Sequence, residues 1–452
     1  MDPTAFPSHL WPVSARIQRG QLYLGSHNLV ELANQWGTPL YIYDAATFDD
    51  AIGAYRRGLR AWPGEKRVAY AAKAWFNLPF AQVLRNRGLD LDLVSEGELG
   101  IARAAGYPPG RVHLHGNNKI ATLLKMAIDW GIGSVAVDNL HELSLLEELA
   151  RTDCQVPDLW LRLNPHLLAP THPYRQTGHA GSKFGLNREE AMGAALRIHH
   201  HPHLHLTGLH THIGSQIFDL EAMLQAIDEL IKLATALRAE GLKPIQFLCP
   251  GGGLGVPYHP HDPHLDLAQA VDRIASHGAD VWAKHTKEPP PTLVLEPGRS
   301  LVARAGIALY RIGAIRHLQD GTRIAATDGS MADNPRPALY GARYSACLPR
   351  HPLSPPSGPV RIVGPLCESG DFLIESVDLP EFEAGDIIAI PVAGAYQLSM
   401  ASNFNATLLP PVYWLEDNKW HCFQRRQTLS DLIQRDVALT ERRRSSIKCL
   451  AV

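Results

Sequence analysis

The stretch FLCPGGGLG, residues 247–255, joins a short apolar run to three successive glycines. That is how a buried strand ending in a tight backbone turn reads. The same pattern recurs on both sides of it. Eight short runs rich in Val, Leu and Ile can be read, at 67–73, 89–95, 112–116, 134–139, 159–164, 204–214, 247–251 and 292–296. Apolar residues on both faces mark parallel strands covered on both sides. Helical patterns lie between them. The segment 96–105 follows Ser95, an N-cap with Glu98 three residues on, which is the spacing of a capping box. Segments 140–150, 188–199 and 220–239 carry apolar residues three and four apart, as amphipathic helices do. Eight strand–helix units predict an α/β fold, a (β/α)8 TIM-like barrel over residues 45–315.

After about residue 315 the texture changes. Pro and Gly punctuate short β-branched runs such as 360–363 and 386–391, and 353–359 is a Pro/Ser-rich loop. This predicts a C-terminal all-β domain over 316–452. Strand-like runs at 22–24 and 40–43 assign residues 1–44 to that domain, so the N-terminal strands contribute to it. A chain of 452 residues suits a barrel of roughly 250 residues plus a smaller domain.

Composition excludes several classes. Hydrophobic residues at 45% and charged residues at 19% describe a globular chain. A formal net charge of -2 leaves no basic excess for nucleic acid or an anionic membrane. The first twenty residues lack an apolar signal core, and no apolar run reaches the roughly 20 residues that span a bilayer. The expected location is the cytoplasm. The six cysteines, Cys154, Cys249, Cys347, Cys367, Cys422 and Cys449, include no CxxC pair, and so suit a reducing compartment better than a disulfide framework.

In such a barrel the active site lies at the C-terminal ends of the strands. The first run ends in Lys73, the sixth in His210, His212, Gly214 and Ser215, the seventh in Gly251–Gly255, and the eighth in Glu296, Pro297, Gly298 and Arg299. A lysine buried at a strand end is expected to have a lowered pKa, and a neutral amine forms a Schiff base with an aldehyde. A lone lysine is otherwise a snorkelling or salt-bridged one. Successive glycines let backbone N–H groups approach a phosphate, and a following helix N-terminus would add its dipole. Without other motifs they are equally a bare turn. Glu296 suits a protonated pyridine nitrogen, whose ring takes up electrons, or an ordinary salt bridge to Arg299 or Arg304. His212 suits stacking on a ring, or a satisfied core histidine.

YAAKA at 70–74, HTHIGSQ at 210–216, GGGLG at 251–255, EPGR at 296–299, CESGD at 367–371 and GAY at 394–396 occur in this order. Together they resemble the alanine-racemase-type (fold type III) pyridoxal-phosphate decarboxylases, over roughly residues 20–440. SKFG at 182–185, HGNNK at 115–119 and RPALYGA at 336–342 resemble the diaminopimelate decarboxylases within that group. The resemblance implies pyridoxal 5'-phosphate as cofactor and decarboxylation of meso-2,6-diaminopimelate to L-lysine. It implies that Lys73 bonds to the cofactor and that His212 stacks on its ring. Ser215, Gly252, Gly253 and Gly298 would bind phosphate with Arg299 and Tyr396 nearby, and Glu296 would pair with the ring nitrogen. Arg299, Arg336, Tyr340, Glu368 and Tyr396 would hold the substrate, and Cys367 would return a proton to carbon. Cys367 and Glu368 would come from a partner subunit, which implies a homodimer with a shared active site.

The substrate chemistry agrees with the resemblance. A distal carboxylate and ammonium both need partners once desolvated; arginine suits the first and Glu368 the second. Trp75 follows YAAKA where many relatives carry Asn or Phe, and is expected to shape the pocket. The histidine run 199–205 reads as a solvated connection, with a metal site as the lesser reading; no metal is expected in the active site. Three alternatives remain at this level. They are a decarboxylase of the same fold for another amino acid (arginine, ornithine, carboxynorspermidine or a specialised metabolite), a non-catalytic pyridoxal-phosphate carrier, and a metal-binding barrel hydrolase.

Overall fold

The computed structural model describes residues 6–151, 156–167 and 181–437. Eight parallel strands close into a barrel: Lys66–Ala71, Asp90–Leu93, Val112–Leu114, Ser134–Val137, Asp158–Arg162, Leu206–His210, Phe247–Cys249 and Thr292–Leu295. The eighth pairs with the first, Leu293 opposite Lys66 and Leu295 opposite Val68. These are the eight runs expected from sequence, each ending before the polar residues that closed the run. The ladder stops where the chain turns into the barrel mouth, so those polar residues lie just beyond it. Lys73 is one example: the first strand ends at Ala71 and Lys73 sits on a 3₁₀ turn, Ala72–Ala74.

The helices begin where polar side chains satisfy their first N–H groups. Asn77, Ser95, Asn139, Asn187 and Asp266 each accept from a first-turn N–H of the helix that follows. At Ser95 the capping box is incomplete, because Glu98 accepts from the Val94 N–H, at 2.6 Å, and not from the cap residue. The run 199–205 joins the helix Arg188–His200 to the sixth strand as a mostly exposed connection.

Inside the barrel Ala69, Trp160, Cys249 and Val294 form a closed apolar layer. The indole fills most of it and stacks on His113 at 4.6 Å. It fits because the facing residue of the next strand is Gly208, where a Cβ would lie 2.4 Å from the Trp160 ring.

A second, eight-stranded mixed sheet stands beside the barrel. Its centre is the long strand Gly306–His317, which pairs antiparallel with Leu40–Asp44, Arg323–Thr327 and Ile387–Ile390. Leu40–Asp44 continues parallel to Val412–Glu416, so the N-terminal part of the chain does contribute a central strand. The run at 22–24 does not join it. It belongs to the strand Gln21–Leu24 of a separate three-stranded sheet, with Ala15–Gln18 and His27–Asn28. Three short strands joined by tight turns complete their pairing among themselves.

An aromatic stack fastens the sheet to the barrel, and a hydrogen-bonded cluster ties the sheet unit together. Trp75, just past the cofactor-type lysine, stacks on Tyr43 at 3.9 Å and packs on Phe80. It is buried in this seam and absent from the cavity wall, so it does not shape the pocket as the sequence suggested. Deeper in, the Tyr41 hydroxyl lies 2.9 Å from Gln397 Oε1 and 3.0 Å from Asp333 Oδ2, and Tyr310 donates to the same Oδ2 at 2.6 Å. Burial pushes the Asp333 carboxyl up to about 6, against the pull of these hydrogen bonds.

Two outcomes are expected. Gly208→Val should overpack the barrel layer and lower the thermal midpoint by an amount equivalent to about 1–3 kcal/mol; an unchanged melt would mean that Trp160 has room to move. Asp333 binds its proton more tightly folded than unfolded, so its contribution to stability is full below pH 4 and is lost as pH rises through about 6. Against Asp333→Asn, the wild type should therefore lose roughly 2 kcal/mol of relative stability between pH 4 and pH 7, read by chemical denaturation. A pH-independent difference would contradict this.

Candidate active site

The barrel mouth and the mixed sheet together enclose a cavity of about 320 Å³, a size that suits small molecules. Of the residues singled out from sequence, Lys73, His212, Ser215, Gly253, Glu296, Gly298, Arg299, Arg336, Tyr340 and Tyr396 line it. The barrel supplies the first seven. The mixed-sheet side supplies Arg336 and Tyr340, from the short helix Arg336–Tyr340, and Tyr396. Tyr396 is held in place by its backbone, whose N–H donates to Ala74 O at 2.8 Å, next door to Lys73.

Lys73 is exposed within this cavity. The sequence argument expected a buried lysine at the strand end; the one-turn 3₁₀ segment carries it past the strand and into open space instead.

Glu296 lies at the opposite extreme. It is buried at the end of the eighth strand, and its Oε2 accepts from His210 Nε2 at 2.9 Å. Its Oε1 lies 3.2 Å from His115 Nε2 without the alignment of a hydrogen bond, and is left with no hydrogen-bond partner. Burial alone would raise the carboxyl, but the two imidazoles outweigh it and hold Glu296 well below the usual carboxylate range. The histidines divide. Burial lowers His115, yet Asp92, 3.9 Å away, and Glu296 bring it above its ordinary value. Burial dominates at His210, which is lowered, and at His212, which is lowered well below its ordinary value by burial and then by Lys73 and Arg162.

The glycine run lies where three loops meet. A Cβ at Gly252 would come 2.0 Å from Glu296 O, and one at Gly253 2.2 Å from Gly214 O. Only bare backbone lets the loops after strands six, seven and eight touch. Gly252 is thus behind the wall, with its N–H 3.4 Å from His212 Nδ1, and Gly253 is on it. The helix expected after the glycines does not start there; the next one is Leu267–His285. A single turn, Arg299–Val302 after Gly298, faces the cavity instead.

Two arginines complete the wall. Arg299 donates to Ser215 Oγ at 3.1 Å and to the Tyr258 hydroxyl at 2.7 Å. Arg336 is buried, bonded to the Tyr344 hydroxyl and stacked 4.6 Å over Tyr258. Among the described residues neither has a carboxylate within ion-pair distance.

Cys367 and Glu368 do not join this cavity. They are exposed on a turn between the strands Gly358–Val363 and Phe372–Leu379. The buried carboxylate of Asp371 shapes that turn, accepting from Met331 N at 2.7 Å and Leu366 N at 2.8 Å.

The sequence reading gave no role to Asp92, His115, Arg162 and Tyr258. The first three sit at the mouth ends of strands two, three and five, where the strand-end rule that found Glu296 would also have found them. Tyr258 has no such signal.

The residues fit pyridoxal 5'-phosphate. An amine faces the cavity, a buried carboxylate oxygen there has an open acceptor site, and Ser215 and glycine backbone adjoin a cation. The same Glu296, with His115 and His210, places three potential metal ligands within 4.8 Å of one another.

A family profile described as "Pyridoxal-dependent decarboxylase, pyridoxal binding domain" matches residues 50–303. The diaminopimelate decarboxylase of Bacillus subtilis (strain 168) is 37% identical over 94% of this chain and 97% of its own length. That of Actinosynnema pretiosum subsp. auranticum is 40% identical over 96% of each. Among solved structures, the M. jannaschii diaminopimelate decarboxylase in co-complex with L-lysine superposes with a TM-score of 0.86 at 31% identity, covering 94% of this chain and 98% of that one. The chain belongs to the diaminopimelate decarboxylase family of pyridoxal-dependent decarboxylases.

Proposed function

We propose that this protein decarboxylates meso-2,6-diaminopimelate to L-lysine and carbon dioxide with pyridoxal 5'-phosphate. The observation that carries the substrate assignment is the pair Arg299 and Arg336, two buried guanidiniums facing the cavity without an internal counter-ion. A buried cation demands an anion, and a distal carboxylate is the one that diaminopimelate has and ornithine lacks. Relatives solved with L-lysine bound support the same choice.

The cofactor, when bound, supplies an aldehyde that takes up amines and a ring that accepts the electron pair left by carbon dioxide. The residues supply the rest. Lys73, whose side chain is exposed in the cavity, would hold the cofactor through its amine. Glu296, ionised, holds a proton at the ring nitrogen through its open Oε1. His212, kept neutral, presents an uncharged face for stacking. Ser215, Gly253 and Gly298 would receive the phosphate, with Arg299 and Tyr396 beside it, while Gly252, behind the wall, lets the loop approach. Arg299, Arg336, Tyr340 and Tyr396 hold the substrate. No metal takes part.

Cys367 and Glu368 act across a homodimer interface. They are exposed on a turn whose backbone Asp371 holds, where a second chain could meet them. Cys367 would return the proton to carbon, and Glu368 would receive the distal ammonium. The cofactor-binding barrel ends before Gly306, short of the boundary at 315 read from sequence, and Leu40–Asp44 with the chain from Gly306 onward builds the second unit. No helix is long and apolar enough to cross a membrane; the cytoplasm, where lysine is made, is the proposed location.

Purified protein with added cofactor should convert meso-diaminopimelate to equimolar L-lysine and carbon dioxide, and should not act on arginine or ornithine. Lys73→Ala should abolish both the product and the visible cofactor absorbance. Protein that keeps the absorbance but makes no lysine would sink the substrate assignment. Mixing Lys73→Ala with Cys367→Ala subunits should restore about a quarter of wild-type activity, as random two-fold pairing rebuilds one site in each mixed dimer. No recovery from subunits shown to exchange would contradict the shared site.

A further inference from the structure

Tyr258 stands on the connection after the seventh barrel strand, behind the cavity wall, and is 5% exposed. Its oxygen accepts from Arg299 Nη1 at 2.7 Å. Its ring lies 4.6 Å from Arg336 Cζ and 5.8 Å from Arg299 Cζ. One phenol therefore touches both guanidiniums, which arrive from different units of the fold. Two like charges side by side repel. An oxygen acceptor for one and a shared π face for both are what an uncharged side chain can offer to hold them together.

The phenol is itself held firmly. Asp262 Oδ2 accepts from the Tyr258 and His259 N–H groups, both at 2.9 Å. Tyr258 O accepts from Ser345 N at 3.2 Å. Upstream, Gln216 and Val256 form a reciprocal pair of hydrogen bonds. The ring meets Tyr344 edge-on at 5.2 Å, and Tyr344 binds Arg336 from its other side.

We propose that Tyr258 is a positioning residue that sets specificity for the substrate's distal carboxylate, by fixing the spacing and orientation of Arg299 and Arg336. A carboxylate is recognised well only when its donors are pre-set to its geometry. An aspartate or glutamate in the place of Tyr258 would neutralise the arginines; tyrosine aligns them and leaves their charge for the substrate. The proposal rests on the reading that these two arginines receive that carboxylate.

The test uses the holoenzyme and Tyr258→Phe, which keeps the ring and removes the acceptor. KM for meso-diaminopimelate should rise about ten- to hundred-fold, with a smaller change in kcat. Competitive inhibition separates positioning from packing. L-lysine carries the distal carboxylate and should weaken in step with KM; cadaverine, which lacks it, should bind as to the wild type. Asp262→Ala, which frees the loop without touching the ring, should repeat the selectivity in milder form. Equal weakening of L-lysine and cadaverine, a loss confined to kcat, or Tyr258→Phe kinetics matching the wild type would each overturn the proposal. If the wild type itself makes no lysine, the substrate reading falls and the proposal with it.

Discussion

Glu296 is an ionised carboxylate with almost no access to water, and such a group survives only among partners. Here the partners are imidazoles from strands three and six, and behind one of them stands Asp92 on strand two. The chain of contacts runs across the barrel mouth and binds four strand ends into one electrostatic unit. Because His210 uses one carboxylate oxygen and His115 only approaches the other, the site keeps an ionised acceptor aimed at the cavity. A lone glutamate at that depth would have taken up a proton and lost the property that makes it useful.

The backbone meets the same demand sterically. Glu296 can stand where it does because the seventh-strand loop passes against its carbonyl with no side chain between, and the sixth-strand loop presses on Gly253 in the same way. The glycine run serves loop packing first. Any phosphate contact at Gly253 follows from that packing, which leaves bare N–H groups near Ser215 and Arg299. This explains why the run precedes a long connection and not a helix. The residues were selected for closeness of approach, and the single turn after Gly298 supplies the helical N–H groups.

The barrel was legible because burial on both faces writes continuous apolar runs, and because caps such as Ser95 and Asn139 mark helix starts. Lys73 and Glu296 were legible as polar residues set against those runs. Residues whose role depends on a partner far along the chain were harder. Trp75 reads as a pocket residue from its distance to Lys73, yet it turns to Tyr43, which enters through the N-terminal strand of the other sheet. The run at 22–24 has the pattern of a core strand, and its pairing was decided by neighbours nine residues away or fewer. Tyr258 sits in a loop with no periodicity, and its meaning comes only from two arginines 41 and 78 residues later. Local patterns report burial well; they do not report which distant side chain shares a hydrogen bond.

The charge balance of the cavity carries the last step. Four cations, Lys73, Arg162, Arg299 and Arg336, face two carboxylates, Asp92 and Glu296; Arg162 is paired behind the wall with Asp138 at 3.4 Å, and both carboxylates are engaged with histidine, which leaves three cations unmet among the described residues. The surplus suits a phosphate and a carboxylate arriving with cofactor and substrate. It leaves the substrate's distal ammonium with no free anion on this wall, and an ammonium placed among arginines without a partner would be expelled. Glu368 is exposed on a turn whose backbone Asp371 holds, its Oε1 accepting from Gly370 N at 3.2 Å. The unmet ammonium of one cavity and this exposed carboxylate are the two features that the proposed pairing of chains would bring together.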